Sequence, residues 1–357
     1  MKINEVIKSL SASNAAIKNT ASPEPKDGWY PAYSASGQDV WLPDYRFDGK
    51  GIVVSAVGAR CGKAFKANGK WNVCANTHPL IVDETKALRD YCWYMINNGN
   101  WWIKGGTAQP FVKVKDSFNR DFNFPPISEQ KLIVHKLDTI QSLINQKQLQ
   151  IERLDELVKA RFVEMFGSDN YPQVAIVDLV EKKVSTAKKD FSQDDVIKYI
   201  DISSIDNKRN LMTGYTEHLL AKAPSRAQQH VVKGDILIST VRPNLRNVAL
   251  ISYDDDNLVA SSGFCVLRAK KCLPSYLMAI ACSNEFTGAM TKLVTGANYP
   301  AIKDSDVMKY TISLPPVERQ KEFEKFVKQV DKSKFAVQKS LEKTQLLFDS
   351  LMQEYFG

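Results

Sequence analysis

Asp44, Glu84 and Lys86 are the side chains from which a nuclease centre would be assembled, because magnesium takes carboxylate oxygens and a lysine can activate water. Their spacing fits an ordinary solvated surface equally well. A second stretch, GARCGKA from Gly58, has three residues between its glycines where a phosphate-binding loop has four, and Ala64 where such a loop needs the Ser or Thr that holds magnesium. A third, NFPPI from Asn123, has the two prolines of the Asn-Pro-Pro-aromatic loop that holds an amino group for methyl transfer. Phe124 intrudes after the asparagine, however, and a later copy of the stretch reads SLPPV. None of the three is a complete catalytic site. The six cysteines have no two-residue spacing and the four histidines are scattered, so the thiols read as buried and free, not as zinc ligands or a disulfide framework.

Recognition chemistry is better represented. Arg60, Lys63, Lys66 and Lys70 follow the strand-like run IVVSAVG, and Arg242, Asn244 and Arg246 follow DILISTV. Arginine can grip guanine, and asparagine adenine, with two hydrogen bonds each, and both can hold phosphates. GTAQPFVKVKDSF from Gly106 and GANYPAIKDSDVM from Gly296 add two turns, the second with Tyr299 suited to stacking or close backbone approach. Trp101 and Trp102 read as packing residues. The net charge is +8 with a pI of about 9.0, and it is unevenly spread: residues 127–167 carry six basic and six acidic groups, and 317–357 carry eight and seven. The excess therefore belongs to the remaining segments, which points to a polyanionic partner.

The elements that must position these residues occur twice. Pro125 and Pro315, Gln130 and Gln320, Glu152 and Glu342, Phe166 and Phe356, and Gly167 and Gly357 all stand 190 positions apart. One gap-free offset across so long a stretch means duplication. Within the first copy Ile133, Leu137, Ile140, Ile144, Lys147, Ile151, Leu154 and Val158 alternate spacings of four and three. Phe323, Val327, Val330, Lys334, Val337, Leu341, Thr344 and Phe348 repeat the pattern in the second. That period predicts a coiled-coil seam whose polar members help fix register, with the Pro-Pro pair at each helix start and Gly167 at the first stop. Connectivity makes two such rods antiparallel, with a globular unit at each end. A rod of about 38 residues measures about 57 Å, and it reads as a spacer fixing the separation of two binding units. The globular segments also correspond: Ile52, Ser55 and Val57 match Ile236, Ser239 and Val241 at an offset of 184, and Gly106, Pro110 and Lys113 match Gly296, Pro300 and Lys303 at 190. No run is long and apolar enough for a membrane span, and the N-terminal stretch lacks a signal-peptide core, so a cytoplasmic protein is expected.

Taken in order, YPAYSASG at 30–37, FPPISEQ with LVKARFVEMFG, YIDISSID, GDILISTVRPNLRNVAL, TGANYPAIKDSDV, and LPPVERQ with LMQEYFG resemble the specificity subunit of type I restriction-modification enzymes over essentially the whole chain. The resemblance implies an α/β (α+β) fold with target-recognition domains at 1–124 and 168–313, helical spacers at 125–167 and 314–357 in an antiparallel coiled coil, and a pseudo-twofold internal repeat. It implies a subunit without catalysis, metal or cofactor of its own that reads a bipartite, asymmetric site in double-stranded DNA, one half-site per domain. Two adenine-N6 DNA methyltransferase subunits would dock on it and restriction/translocase subunits would join; adenosylmethionine and ATP would belong to these partners. The expected DNA contacts are Ser34, Ser36, Arg60, Lys63, Lys66, Thr107, Gln109 and Lys113 in the first domain, and Arg242, Asn244, Arg246, Asn298, Tyr299 and Lys303 in the second. The competing reading is a coiled-coil scaffold with two protein-binding globular ends, and steep salt dependence of DNA binding separates the two.

Overall fold

Helix starts at Ile127 and at Val317, immediately after each Pro-Pro pair, and continues in each case for 40 residues, to Phe166 and Phe356. Proline suits that entry because its φ is already helical and its missing N–H would have had no intrahelical partner. At the far end of the first rod the Gly167 N–H donates to the Val163 carbonyl at 2.7 Å. A Cβ at 167 would sit 2.6 Å from the same oxygen, so only glycine closes the helix this way. Every seam position expected from the spacing is buried or half-buried.

The computed structural model describes residues 1–10, 20–98, 100–167, 171–296 and 300–357. The chain divides into two compact units, residues 1–148 with 339–357, and residues 149–338. Each unit therefore contains a globular part and one half of each rod. Within the first unit the half-rods run antiparallel, Lys136 Nζ donating to Tyr355 Oη at 3.5 Å and Lys147 Nζ to Ser340 Oγ at 2.8 Å. Within the second, Phe162 packs edge-on against Phe323 with ring centroids 5.5 Å apart, and the seam lysine Lys334 pairs with Asp155. Both lysines in the seams thus find polar partners across the helix pair, which favours this register over its neighbours.

In the first unit β1 (Ile7–Ser9), β2 (Tyr30–Ser34), β3 (Gly37–Leu42), β4 (Phe47–Asp48), β5 (Gly51–Ser55), β6 (Ala64–Ala67), β7 (Lys70–Val73) and β8 (Thr77–Val82) form two sheets, ordered β1-β8-β5-β6 and β3-β2-β7-β4, and α1 (Arg89–Ile96) follows. The second unit follows the same plan with β9 (Val196–Ile200), β10 (Thr216–Leu219), β11 (Ala227–His230), β12 (Ile236–Ser239), β13 (Val248–Leu250), β14 (Leu258–Ser261) and β15 (Phe264–Leu267), ordered β10-β9-β14-β11 and β13-β12-β15. Helices α2 (Pro274–Ala281) and α3 (Asn284–Lys292) follow. The correspondence reaches register: Val54 pairs with Ala64, and Ile238, 184 positions on, pairs with Val248. Each plan also contains one parallel pair, β2 with β7 and β9 with β14. Where the strands differ, packing explains it. Gly51 is glycine because a Cβ there would lie 2.3 Å from the Trp71 ring. Its counterpart Asp235 is buried and grips Arg268 Nε at 2.8 Å and Nη2 at 2.7 Å.

A duplicated glutamine ties rod to helix. Gln130 Oε1 accepts from the N–H of Leu88, the N-cap residue of α1, at 2.8 Å, and its Nε2 donates to the Pro125 carbonyl at 2.8 Å. Gln320 accepts from Leu273, the N-cap residue of α2, and donates to Pro315, both at 2.8 Å. The Phe-Gly endings have a shared use as well. Phe356 packs on Tyr91 of α1 and Phe166 on Tyr276 of α2, with centroids 5.0 and 5.1 Å apart. Burial pushes both phenols up, so they remain protonated. Trp101 and Trp102 are buried against one another as expected, and the thiols of Cys272 and Cys282 are pushed up by burial to about 11 and about 12. Gln130→Ala and Gln320→Ala should each destabilise the chain by about 1–3 kcal/mol, because a buried N–H and a carbonyl lose their partner. Urea denaturation checks this, and an unchanged midpoint for both variants would show that water replaces the amide.

Candidate nucleic-acid interface

The two motifs that correspond at different offsets, 184 and 190, meet in space within each unit. In the first, the Gly58 N–H donates to the Pro110 carbonyl at 2.8 Å and the Val112 N–H to the Ala56 carbonyl at 2.9 Å. In the second, the Arg242 N–H donates to Pro300 at 2.8 Å and the Ile302 N–H to Thr240 at 2.9 Å. A bridge between Val57 and Phe111 is matched by one between Val241 and Ala301. The turn after the central strand and the turn before the rod thus become one surface in each unit.

On the first unit that surface carries Arg60, Lys63, Thr107, Gln109 and Lys113, all exposed. Gly106 has φ +79°, and a Cβ there would lie 2.4 Å from the Gln109 carbonyl oxygen, so the tight turn that presents Thr107 and Gln109 requires glycine. Lys66 is placed differently. Its ammonium lies 2.9 Å from Asp90 and 3.9 Å from Asp138, over the Trp93 ring, where it joins sheet, helix and rod. Ser34 is buried and its Oγ accepts the Ser36 N–H at 3.0 Å, shaping a turn on which Ser36 is exposed.

On the second unit Arg242, Asn244 and Lys303 are exposed and Arg246 is half-buried, its Nη2 donating to Asn284 Oδ1 at 2.6 Å. Asn298 and Tyr299 lie outside the described residues. Arg242 and Arg246 adopt φ +50° and +55°, the left-handed region. Their counterparts 184 positions earlier are Gly58 and Gly62, at +85° and +91°. A non-glycine residue held there costs about 1–2 kcal/mol, and such strain concentrates where a side chain is needed for function. Lys208 and Arg209 were not among the candidates read from the sequence. They are exposed on the turn 206–210, beside the arginine turn, with Arg209 Nη2 donating to Gln338 Oε1 of the second rod at 3.1 Å. Two consecutive basic residues framed by Asn207 and Asn210 were the available signal.

The architecture is duplicated, and each globular part presents a related, polar and mainly basic two-turn surface. The chain matches the type I restriction modification DNA specificity domain over residues 1–153 and 169–346, and it belongs to that family. It is therefore a DNA-recognition component, not a catalytic one, of a type I restriction-modification system. It is 22% identical over 374 residues to the type I restriction enzyme MjaVIII specificity subunit of Methanocaldococcus jannaschii, covering 93% of this chain and 85% of the relative. Against the EcoDI specificity subunit of Escherichia coli the identity is 22% over 363 residues, covering 89% and 78%. The crystal structure of the type I restriction-modification S subunit from M. genitalium shares the fold, with a TM-score of 0.57 at 13% identity over 100% of this chain and 95% of that one. Among the described residues no helix is long and apolar enough to cross a membrane.

Replacing Arg242 with glycine should raise stability by about 0.5–1 kcal/mol, the relief of left-handed strain less glycine's greater loss of freedom on folding, while weakening DNA binding. Urea denaturation and gel shift on the same preparation measure both. A lower denaturation midpoint would mean that the side chain contributes more than the strain it causes.

Proposed function

We propose that the globular part of each unit reads one half of a split, asymmetric DNA site through its paired turns. The first would use Arg60, Lys63, Thr107, Gln109 and Lys113, with Ser36 at the flank. The second would use Arg242, Asn244, Arg246 and Lys303, together with Asn298 and Tyr299. The observation that carries this reading is the repeated pair of backbone bonds, Gly58 to Pro110 and Arg242 to Pro300, which builds the same surface twice from segments far apart in sequence. Guanidinium and carboxamide groups on rigid turns suit base edges, and the lysines suit phosphates. Lys66 and Ser34 are held by the contacts described above and need not touch DNA to matter.

The rods, in this reading, space the two half-sites and, with the surfaces beside them, dock two adenine-N6 methyltransferase subunits, which restriction/translocase subunits then join. A duplicated chain offers nearly the same docking residues twice, which supports two methyltransferases per chain. The chain itself would carry no cofactor.

The combined variant R242A/N244A/R246A should lose discrimination only in the half-site read by the second unit, by about 1–3 kcal/mol for each base contact removed. Methylome sequencing of a host with the wild-type or variant gene identifies the site and shows any relaxation, and native mass spectrometry of the complex counts the methyltransferases. A folded variant that methylates an unaltered motif would remove the turn from the reading surface.

A further inference from the structure

The turns after β5 and β12 follow one backbone path but are held there by different donors. In the first unit, where Gly58 and Gly62 take up positive φ, the Gly62 carbonyl accepts Trp102 Nε1 at 3.0 Å and the Ala64 carbonyl accepts Trp93 Nε1 at 3.0 Å. A Cβ on residue 62 would come within 2.7 Å of the Trp102 ring, so the indole and the glycine require each other. In the second unit the corresponding carbonyls, 184 positions on, are those of Arg246 and Val248. One side chain serves both: Asn210 Nδ2 lies 3.0 Å from the Arg246 oxygen and 3.3 Å from the Val248 oxygen. Asn207 Nδ2 adds a bond to the Leu245 carbonyl at 2.9 Å. These amides hold the C-terminal end of a turn whose left-handed residues are Arg242 and Arg246.

The hairpin turn that carries the asparagines is itself constrained. Asp206 Oδ1 accepts the N–H groups of Lys208 and Arg209 at 2.9 and 3.2 Å. Asn210 sits at φ +52°, a conformation asparagine tolerates better than most residues. Bonds local to this turn therefore fix the backbone from which both amides project.

We infer that Asn207 and Asn210 are positioning residues that latch the Arg242–Arg246 turn in its reading conformation, doing from a neighbouring hairpin what Trp93 and Trp102 do from the core of the first unit. The inference rests on the proposal that this turn contacts DNA. Removing the latch leaves every charge in place but lets the strained arginines relax toward right-handed backbone, so the turn keeps its attraction for DNA and loses its aim.

Three full-length variants test this. N210G keeps the positive φ accessible and removes the amide; N210D keeps the shape and replaces the donor with a carboxylate facing two carbonyl oxygens; N207A removes the flanking bond. Each is titrated against a duplex bearing the site assigned by methylome sequencing, and against duplexes altered in one half-site or the other, with the melting temperature followed in parallel. N210G and N210D should lose about tenfold or more in discrimination at the half-site of the second unit, the size of one base contact. N207A should lose less. Discrimination at the other half-site should stay within about twofold of wild type in all three variants, and so should affinity for unrelated DNA in the charge-neutral N210G and N207A, since the phosphate-binding charges remain; the added carboxylate of N210D lowers that affinity as well. Wild-type discrimination in folded N210G and N210D, alongside its loss in R242A/N244A/R246A, would overturn the latch and leave the DNA-reading assignment standing. Wild-type discrimination in that combined variant as well would overturn both. Equal losses at the two half-sites would mark a general weakening of the fold and equally overturn the latch.

Discussion

Each rod joins its globular part through a buried side-chain amide, and the geometry of each unit follows from that contact. A helix leaves the first N–H groups of its N-terminus without partners, and the carbonyl of the first proline in a Pro-Pro entry precedes the point where helical bonding begins. Gln130 and Gln320 bring these two unsatisfied groups together, taking an N–H from the start of α1 or α2 and giving one to Pro125 or Pro315. Both side chains are almost wholly enclosed, so the bonds cannot be exchanged for water without opening the core. Two short bonds on one planar group fix a direction as well as a distance. Tyr91 and Tyr276, on the same helices, receive the Phe-Gly end of a rod, and the segments before the rods are held against the residues that follow the central strands.

Much of this was legible in the sequence because duplication writes positions twice. The constant offset of 190 marked the rods, and the alternation of four and three marked their seams, since helical side chains of that spacing share a face. It also singled out the glutamine and the terminal Phe-Gly, though not their use: a matched residue announces that it matters, while its partner is set by tertiary packing. The partners were hidden because α1 and α2 correspond at a third offset, Leu88 with Leu273 and Tyr91 with Tyr276 at 185, among residues that otherwise differ. Insertions in surface loops shift such offsets freely, and short matches are then lost among chance identities.

The recognition surface was legible in part for a related reason. The motifs around Arg60 and Arg242 and those around Gly106 and Gly296 were visible separately, but a sequence has no means of stating that Gly58 bonds Pro110. Lys66 looked like one more cation in a basic cluster until Asp138, 72 positions later, came into contact with it. The left-handed backbone of Arg242 and Arg246 was invisible because its counterparts are glycines, which share the conformation and nothing else. Residue identity diverged while φ was retained, and only coordinates report φ. The turn bearing Lys208 and Arg209 lacked a duplicate in the first unit to draw attention to it.

The way the units divide the polypeptide bears on how the protein comes to exist. Residues 149–338 are contiguous, so every strand and helix of the second unit emerges from the ribosome as one uninterrupted stretch, able to fold as its last segment clears the exit tunnel. The first unit is synthesised earlier but includes residues 339–357, and Tyr91 waits for Phe356 across some 265 intervening positions. The N-terminal globular part must therefore persist with an unfinished hydrophobic face throughout synthesis of the other unit. A core begun at the start of synthesis is thus closed by residues made at its end.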